Sequence, residues 1–445
     1  MPRPSFLSEV RDPAQRRTLR RFALEGAASE CVLWLTSGSV LTAWALALGG
    51  DAGTVSSVQS ISTAAQAMHV PAAMASARGS RKRLVLAAML VARLAWLPLA
   101  ALALLGDVGP AGRALLLATC AIASIFSMFA QNAQGSWIGD AVPPSVRGRF
   151  FGTRTWVAAL GGSVAALLIA TLLDRGDRLE VAREASDGRV PLPVLGVLGV
   201  LVVGLGAIST LLLRGADEHT RDASTESLSS SLARARTQLA DPALRRFLRY
   251  QILWGIAVAP GAAFFTMHVL TTMHGGYRLI AAHGIVVVVT RVMSAHVWGA
   301  RVDRFGASRE LALCSLGIGV MPLLWSVCDE HTWWPLALDA VLSGVLWGGQ
   351  QIAVSAHPLG IGKPEDRPYV LAWSSLALGL SWAGASLVAG SLVRVLPDDV
   401  LGIGPFRLLF VFSGLARASC AWWALKLNAS PAPTIVSGEA TRSHA

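Results

Sequence analysis

Five charged side chains stand inside long apolar runs: Glu30, Arg93, Arg291, Asp339 and Arg417. An ionised group at the centre of a bilayer costs about 2.5–3.5 kcal/mol on insertion scales, so each needs a partner or a task. Glu30 is the expected coupling group, because a carboxylate taken out of water is well suited to bind and release a proton. Arg291 is the expected contact for a substrate anion, or the charge partner of Glu30. Asp339 is a second carboxylate, suited to coupling or to a place at the interface. Arg93 and Arg417 are expected in structural pairs, Glu30 with Arg93 for example. Glu25 lies five residues before Glu30, about 140° away round a helix, and is expected at the interface rather than in a central cavity.

Amides and rings extend this set. Gln131, Gln134, Gln350 and Gln351 lie in two apolar runs, and an amide turned to lipid leaves donors unpaired, so these are expected to line a cavity. Among 15 tryptophans, Trp34, Trp254 and Trp373 are candidates to stack on a substrate, whereas Trp333, Trp334, Trp422 and Trp423 suit an aromatic belt at span ends. His69, His268, His283 and His296 show no metal spacing, and the five cysteines are scattered. No metal and no cofactor is expected. Neither a nucleophile–base constellation nor a phosphate-binding glycine loop is visible, which argues against an enzyme and against transport driven by ATP on this chain.

The elements that must position these residues are read from hydropathy. Of 445 residues, 53% are hydrophobic and 15% charged, against about 25% charged in ordinary soluble domains. Runs long enough to cross a core of about 30 Å recur throughout. Twelve spans are expected, at 23–48, 53–76, 84–105, 114–138, 155–173, 191–213, 250–272, 279–300, 310–327, 334–356, 369–393 and 408–425. The second is the weakest, being rich in Ser, Thr and Gln.

With the N-terminus inside, the inner segments hold 27 of the 38 basic residues and the outer loops 8. Both termini are therefore expected in the cytoplasm, with the chain in an inner, cytoplasmic membrane. The net charge of +11 reflects these loops and implies no nucleic-acid partner. The resulting organisation is a tail over 1–22, a six-helix bundle over 23–213, a linker over 214–249, a second bundle over 250–427 and a tail over 428–445. Gly79 matches Gly306 and Arg149 matches Arg367 at similar offsets, 227 and 218 residues, which suggests a duplicated six-helix unit.

The loop Gly299-Ala300-Arg301-Val302-Asp303-Arg304-Phe305-Gly306-Ala307-Ser308-Arg309 resembles the G-x-x-x-D-R-x-G-x-x-R signature of the major facilitator superfamily. In the first-half copy Ser76 and Ala77 replace the aspartate and first arginine. The loop Gly139-Asp140 to Arg147-Gly148-Arg149 resembles the family's loop between helices four and five, and Gln131 stands where the family's R-x-x-Q-G pattern has arginine.

The resemblance implies two pseudo-symmetric six-helix bundles that rock about a central site. Gly299, Asp303, Arg304, Gly306 and Arg309, with Asp140 facing Arg147 and Arg149, would form a breakable cytoplasmic gate. It also implies a secondary carrier for a small organic solute, acting as a single chain in the lipid bilayer and driven by protons, with export ahead of uptake. A permease for a sugar or organic anion, and a sensor or assembly factor that transports nothing, stay open.

Overall fold

The computed structural model describes residues 10, 12–106, 111–143, 146–181, 190–218, 233, 236–361, 367–397 and 404–428. All regular structure among them is helical. The first half comprises α1 (Pro13–Leu35), α2 (Gly38–Ala47), α3 (Ala52–Ala64), α4 (His69–Arg78), α5 (Arg81–Leu94), α6 (Leu97–Leu104), α7 (Gly112–Ala141), α8 (Arg147–Val181) and α9 (Leu192–Arg214). The second comprises α10 (Pro242–Thr271), α11 (Tyr277–Phe305), α12 (Ala307–Ser326), α13 (Trp334–Ala356), α14 (Arg367–Val395) and α15 (Pro405–Leu425).

Ten passes, counting Pro13–Ala47 and Arg81–Leu104 as one each, are long and apolar enough to cross a membrane. The other two expected spans are α3 with α4, and α13. Both are helical but more polar: α3 carries six Ser or Thr, and α13 carries Asp339, Gln350 and Gln351.

Three of the expected spans are broken, each for a local reason. Between α1 and α2, Thr36 Oγ1 and Ser37 Oγ donate back to the carbonyls of Val32 and Leu33, at 2.8 and 2.6 Å, and Gly38 takes φ +50°. Between α5 and α6, Pro98 has no N–H for the Leu94 carbonyl. Between α3 and α4 a 3₁₀ turn, Ala65–Met68, precedes Pro71, which likewise denies the Ala67 carbonyl a partner.

Within each half, small residues let helices meet closely. A Cβ on Gly319 of α12 would lie 2.7 Å from the Gly414 carbonyl of α15, and one on Gly199 of α9 would lie 2.7 Å from Ala100 Cβ of α6. Between the halves, α14 runs along α3, and α11 meets α8. One face of the molecule carries the start of α1 and the α4–α5, α7–α8 and α11–α12 turns. It holds the arginine-rich segments and is called the basic face below. The opposite face carries Asp51, the end of α8 and the start of α11.

Candidate functional site

The two halves meet most tightly at the opposite face. Asp51 caps α3, accepting from Thr54 N at 3.0 Å, and reaches α14, where Arg394 donates two bonds to it at 2.6 and 2.7 Å. The Arg394 guanidinium holds the Asp51 carboxyl well below the usual carboxylate range. A second clasp lies at the ends of α8 and α11. Asp174 accepts from the backbone N–H of Tyr277 at 2.6 Å and of Arg278 at 3.2 Å, and pairs with the Arg278 side chain at 3.4 Å. Nearer mid-depth, Ser60 Oγ of α3 donates to the Ala383 carbonyl of α14 at 2.9 Å. A Cβ on Gly390 would fall 1.9 Å from Ser56 Oγ, so the α3–α14 seam has no room for a larger residue there.

Beneath this seam α1 meets α8 of its own half and α11 of the other. A Cβ on Gly162 of α8 would lie 2.6 Å from Glu30 Cγ and 3.0 Å from Trp34 Nε1, and one on Gly284 of α11 would lie 2.9 Å from the Trp34 ring. Trp34 thus bridges the halves, and Glu30, one turn nearer the basic face, shares its side of α1. Arg291 is seven residues beyond Gly284, on nearly the same azimuth of α11 and about 10 Å nearer the basic face. It is exposed, beside Gly348 of α13. Glu30 and Arg291 each pack within their own half, Glu30 against Gly162 of α8 and Arg291 against Gly348 of α13. No bond joins them among the described residues.

Asp339 is fully buried and receives His283 Nε2 at 2.7 Å and Ser343 Oγ at 3.2 Å. His283 immediately precedes Gly284, so this pair sits behind the Trp34 contact. Arg417, also buried, donates to the Val258 carbonyl at 3.1 Å, beside the Pro260 kink of α10.

Several expectations are corrected. Glu25 is not interfacial: it is fully buried and gathers Gln134 Nε2 at 2.5 Å, Ser209 Oγ at 3.1 Å, Arg154 at 3.3 Å and the Ser29 hydroxyl. Gln134 is accordingly a structural partner, not a cavity lining. Arg93 packs on Gly206 within electrostatic reach of Glu25 and does not pair with Glu30, whose nearby cation is Arg154. Gln350 is buried, donating to Tyr250 Oη at 2.7 Å, whereas Gln351 is exposed against Ser355, and Gln131 is exposed. Trp254 is buried between Tyr250 and Trp347, with ring centroids 6.2 and 5.7 Å away, and Trp373 is half-buried. Both Trp333 and Trp334 are exposed, as an aromatic belt requires.

At the basic face, the anion in the second-half motif is Glu310 rather than Asp303. Arg301 grips it with two bonds, at 3.0 and 3.1 Å, while Asp303, Arg304 and Arg309 are exposed and Arg304 lies over the Phe305 ring. Gly306 caps α11 with φ +83°, which explains the glycine, and Gly299 stands in open space. In the first half, Asp140 pairs with Arg81. The side chains of Arg147 and Arg149 lie outside the described residues.

The missing first-half aspartate has a substitute. Glu218 accepts from Ser80 Oγ at 2.5 Å and Lys82 N at 3.1 Å, and Lys82 Nζ donates to the Ala216 carbonyl at 2.7 Å. Just beyond α13, burial pushes His357 down to about 4, with its ring 5.0 Å from that of Phe247. No cluster of metal-ligating residues occurs among the described residues.

A mutant of the nucleoside transporter NupG superposes with a TM-score of 0.74 at 11% identity, over 92% of this chain and 100% of that one. The xylose transporter XylE from E. coli, in an inward open conformation, gives 0.64 at 12% identity over 94% and 97%. A bacterial homologue of the iron transporter ferroportin, in its inward-facing state, gives 0.66 at 16% identity over 94% and 99%. The chain has the major facilitator fold. No family model and no curated protein sequence matches it. Trp34 and Gly284 lie where α1 and α11 meet in this fold.

Proposed function

We propose that the chain is a secondary carrier that moves a small organic solute by alternating access, with a proton as the coupling ion. The observation that supports this reading is the asymmetry of the seam: among the described residues, the inter-half clasps Asp51–Arg394 and Asp174–Tyr277/Arg278 gather at one face. At the other, Arg81–Asp140 and Arg301–Glu310 each stay within one half. Rocking the halves would trade the first set for contacts between the motif loops. In this reading the basic face is cytoplasmic, as the distribution of Lys and Arg supports, and the conformation is inward-facing.

Glu30 is the coupling group in this reading, and Arg291 the charge that senses its protonation across the seam. With Glu30 ionised, Arg291 has a counter-charge within the same space; with Glu30 protonated, Arg291 is free for solute or water. The solutes of the structural neighbours, a nucleoside and D-xylose, supply the first probes. The test is counterflow in proteoliposomes: labelled uridine or D-xylose should enter faster when the lumen holds unlabelled solute. An imposed proton gradient should drive accumulation in wild type but not in Glu30→Gln. If unlabelled solute in the lumen leaves entry unchanged for every probe, the carrier reading fails. If Glu30→Gln still accumulates solute, Glu30 is structural.

A further inference from the structure

Outside the Glu30–Arg291 seam, a separate cavity of about 360 Å³ opens between α10, α13, α14 and the 3₁₀ break of the second pass. Its polar lining is Gln66, Gln251, Ser355, Ser374 and Ser375, and none of its lining residues is ionisable. Ser355 lies seven residues beyond Gly348 on α13, about 10 Å nearer the basic face than the Arg291 level.

Gln251 is the telling member. It is 2% exposed, and its amide nitrogen donates to Ser374 Oγ at 2.9 Å, yet its Oε1 has no partner. A buried acceptor left unpaired is costly and asks for a donor. Gln66 enters from the other half on the 3₁₀ turn, where α14 comes close enough that a Cβ on Gly379 would lie 2.8 Å from the Thr63 carbonyl and 2.9 Å from Gln66 Cβ. Broken helices at mid-depth free polar groups for a ligand without exposing them to lipid.

We propose that this chamber binds an uncharged, donor-rich solute such as a polyol, sugar or nucleoside, held by Gln251 from the second half and Gln66 from the first. A charged solute would find no counter-ion there and would lose its hydration uncompensated. A hydroxyl or amide N–H would satisfy Gln251 Oε1 once the amide turns that buried oxygen into the chamber. A ligand that bridges Gln66 and Gln251 would draw the α3–α4 pass towards α10 and so bind the two conformations unequally, as a carrier's solute must. The inference rests on the carrier reading for its biological sense, but the binding itself does not require transport.

The test is equilibrium binding to the purified full chain in detergent, using uridine and D-xylose as uncharged probes and succinate and spermidine as charged ones. The expected result is binding of at least one uncharged probe and neither charged probe. Gln251→Ala and Gln66→Ala should each weaken it about tenfold, the loss of one buried hydrogen-bonded contact. Gln251→Glu, nearly the same shape, should also weaken the uncharged probe, and an unchanged melting temperature in either Gln251 variant shows that the fold survives. Binding of succinate lost in Arg291→Gln, or of spermidine lost in Glu30→Gln, but kept in Gln251→Ala would overturn the chamber and leave the carrier reading standing. Failure of both uncharged probes to bind, or binding unchanged in the Gln66 and Gln251 variants, would likewise overturn it. Binding as expected without counterflow would uphold the chamber and remove the carrier.

Discussion

Asp51 and Arg394, 343 residues apart in the chain, form a two-bond ion pair that joins the first half to the second at the face opposite the termini. Both side chains are about half exposed, at 50% and 53%, so the pair belongs with surface bridges worth about 0.2–1 kcal/mol. In the proposed carrier that modest energy suits a clasp that opens in each cycle, because a stronger one would trap a single conformation.

The clasp has a predictable pH response. Asp51 has its carboxyl lowered in the folded chain, so its contribution is fully present above the unfolded value, near 3.9, and is lost only as pH falls through the lower folded one. The closed opposite face should therefore persist unchanged from pH 8 to pH 5. Accessibility of a cysteine placed at Ser57, beside the seam, to a membrane-impermeant thiol reagent would check this. Arg394→Gln should raise that accessibility at every pH in the range.

Burial predicts a different outcome at Glu25. Its carboxylate is fully enclosed and held by Arg154, Gln134 and Ser209, so Glu25→Ala would strand a buried arginine edge and an amide. Removing one partner from such a cluster costs about 3–5 kcal/mol. A fall in melting temperature of several degrees is expected, with a smaller fall for Glu25→Gln. Equal melting temperatures for Glu25→Ala and wild type would remove the cluster from the account.

Gly306 and Gly299 belong to one motif but should respond differently. Gly306 sits at φ +83°, ψ 148°, a region nearly closed to other residues, so Gly306→Ala should cost about 1–3 kcal/mol. Gly299→Ala, inside α11 with no neighbour within 4 Å to meet, should instead stabilise slightly, by about 0.5–1 kcal/mol, in the same melting assay.

His357 gives a stability signature on the acid side. Burial holds it down to about 4 in the fold, against about 6.5 when unfolded. Only the unfolded chain binds the proton between these values, so stability should fall as pH drops from about 6.5 towards 4. His357→Gln should flatten the melting curve over that interval while leaving the wild-type slope above pH 7 unchanged.

The helices and the basic face were legible because each is written locally, as apolar runs of fixed length and as loops rich in Lys and Arg. The roles of Glu25 and Glu30 were not. Their 140° separation says that they face different ways but not which way is inward. That is decided by Gln134, Arg154 and Ser209, which lie 109, 129 and 184 residues from Glu25 in sequence. The spacing of Pro71 and Pro98 could have given the breaks before α4 and α6. Glu310 and Glu218 were hidden for another reason: the motif directs attention to Asp303 and Ser76, whereas the carboxylates that are engaged lie outside its fixed positions.

The rocking of the halves is tested most directly by the distance across the opposite face. Spin labels at Leu105 and Val395, each more than 80% exposed and on different halves, span that mouth, and four of the five native cysteines are buried from the reagent. In lipid nanodiscs, wild type should give a dominant short distance, and Arg394→Gln should add a second population several ångströms longer. A single distance unchanged by Arg394→Gln and by solute would contradict alternating access about this seam.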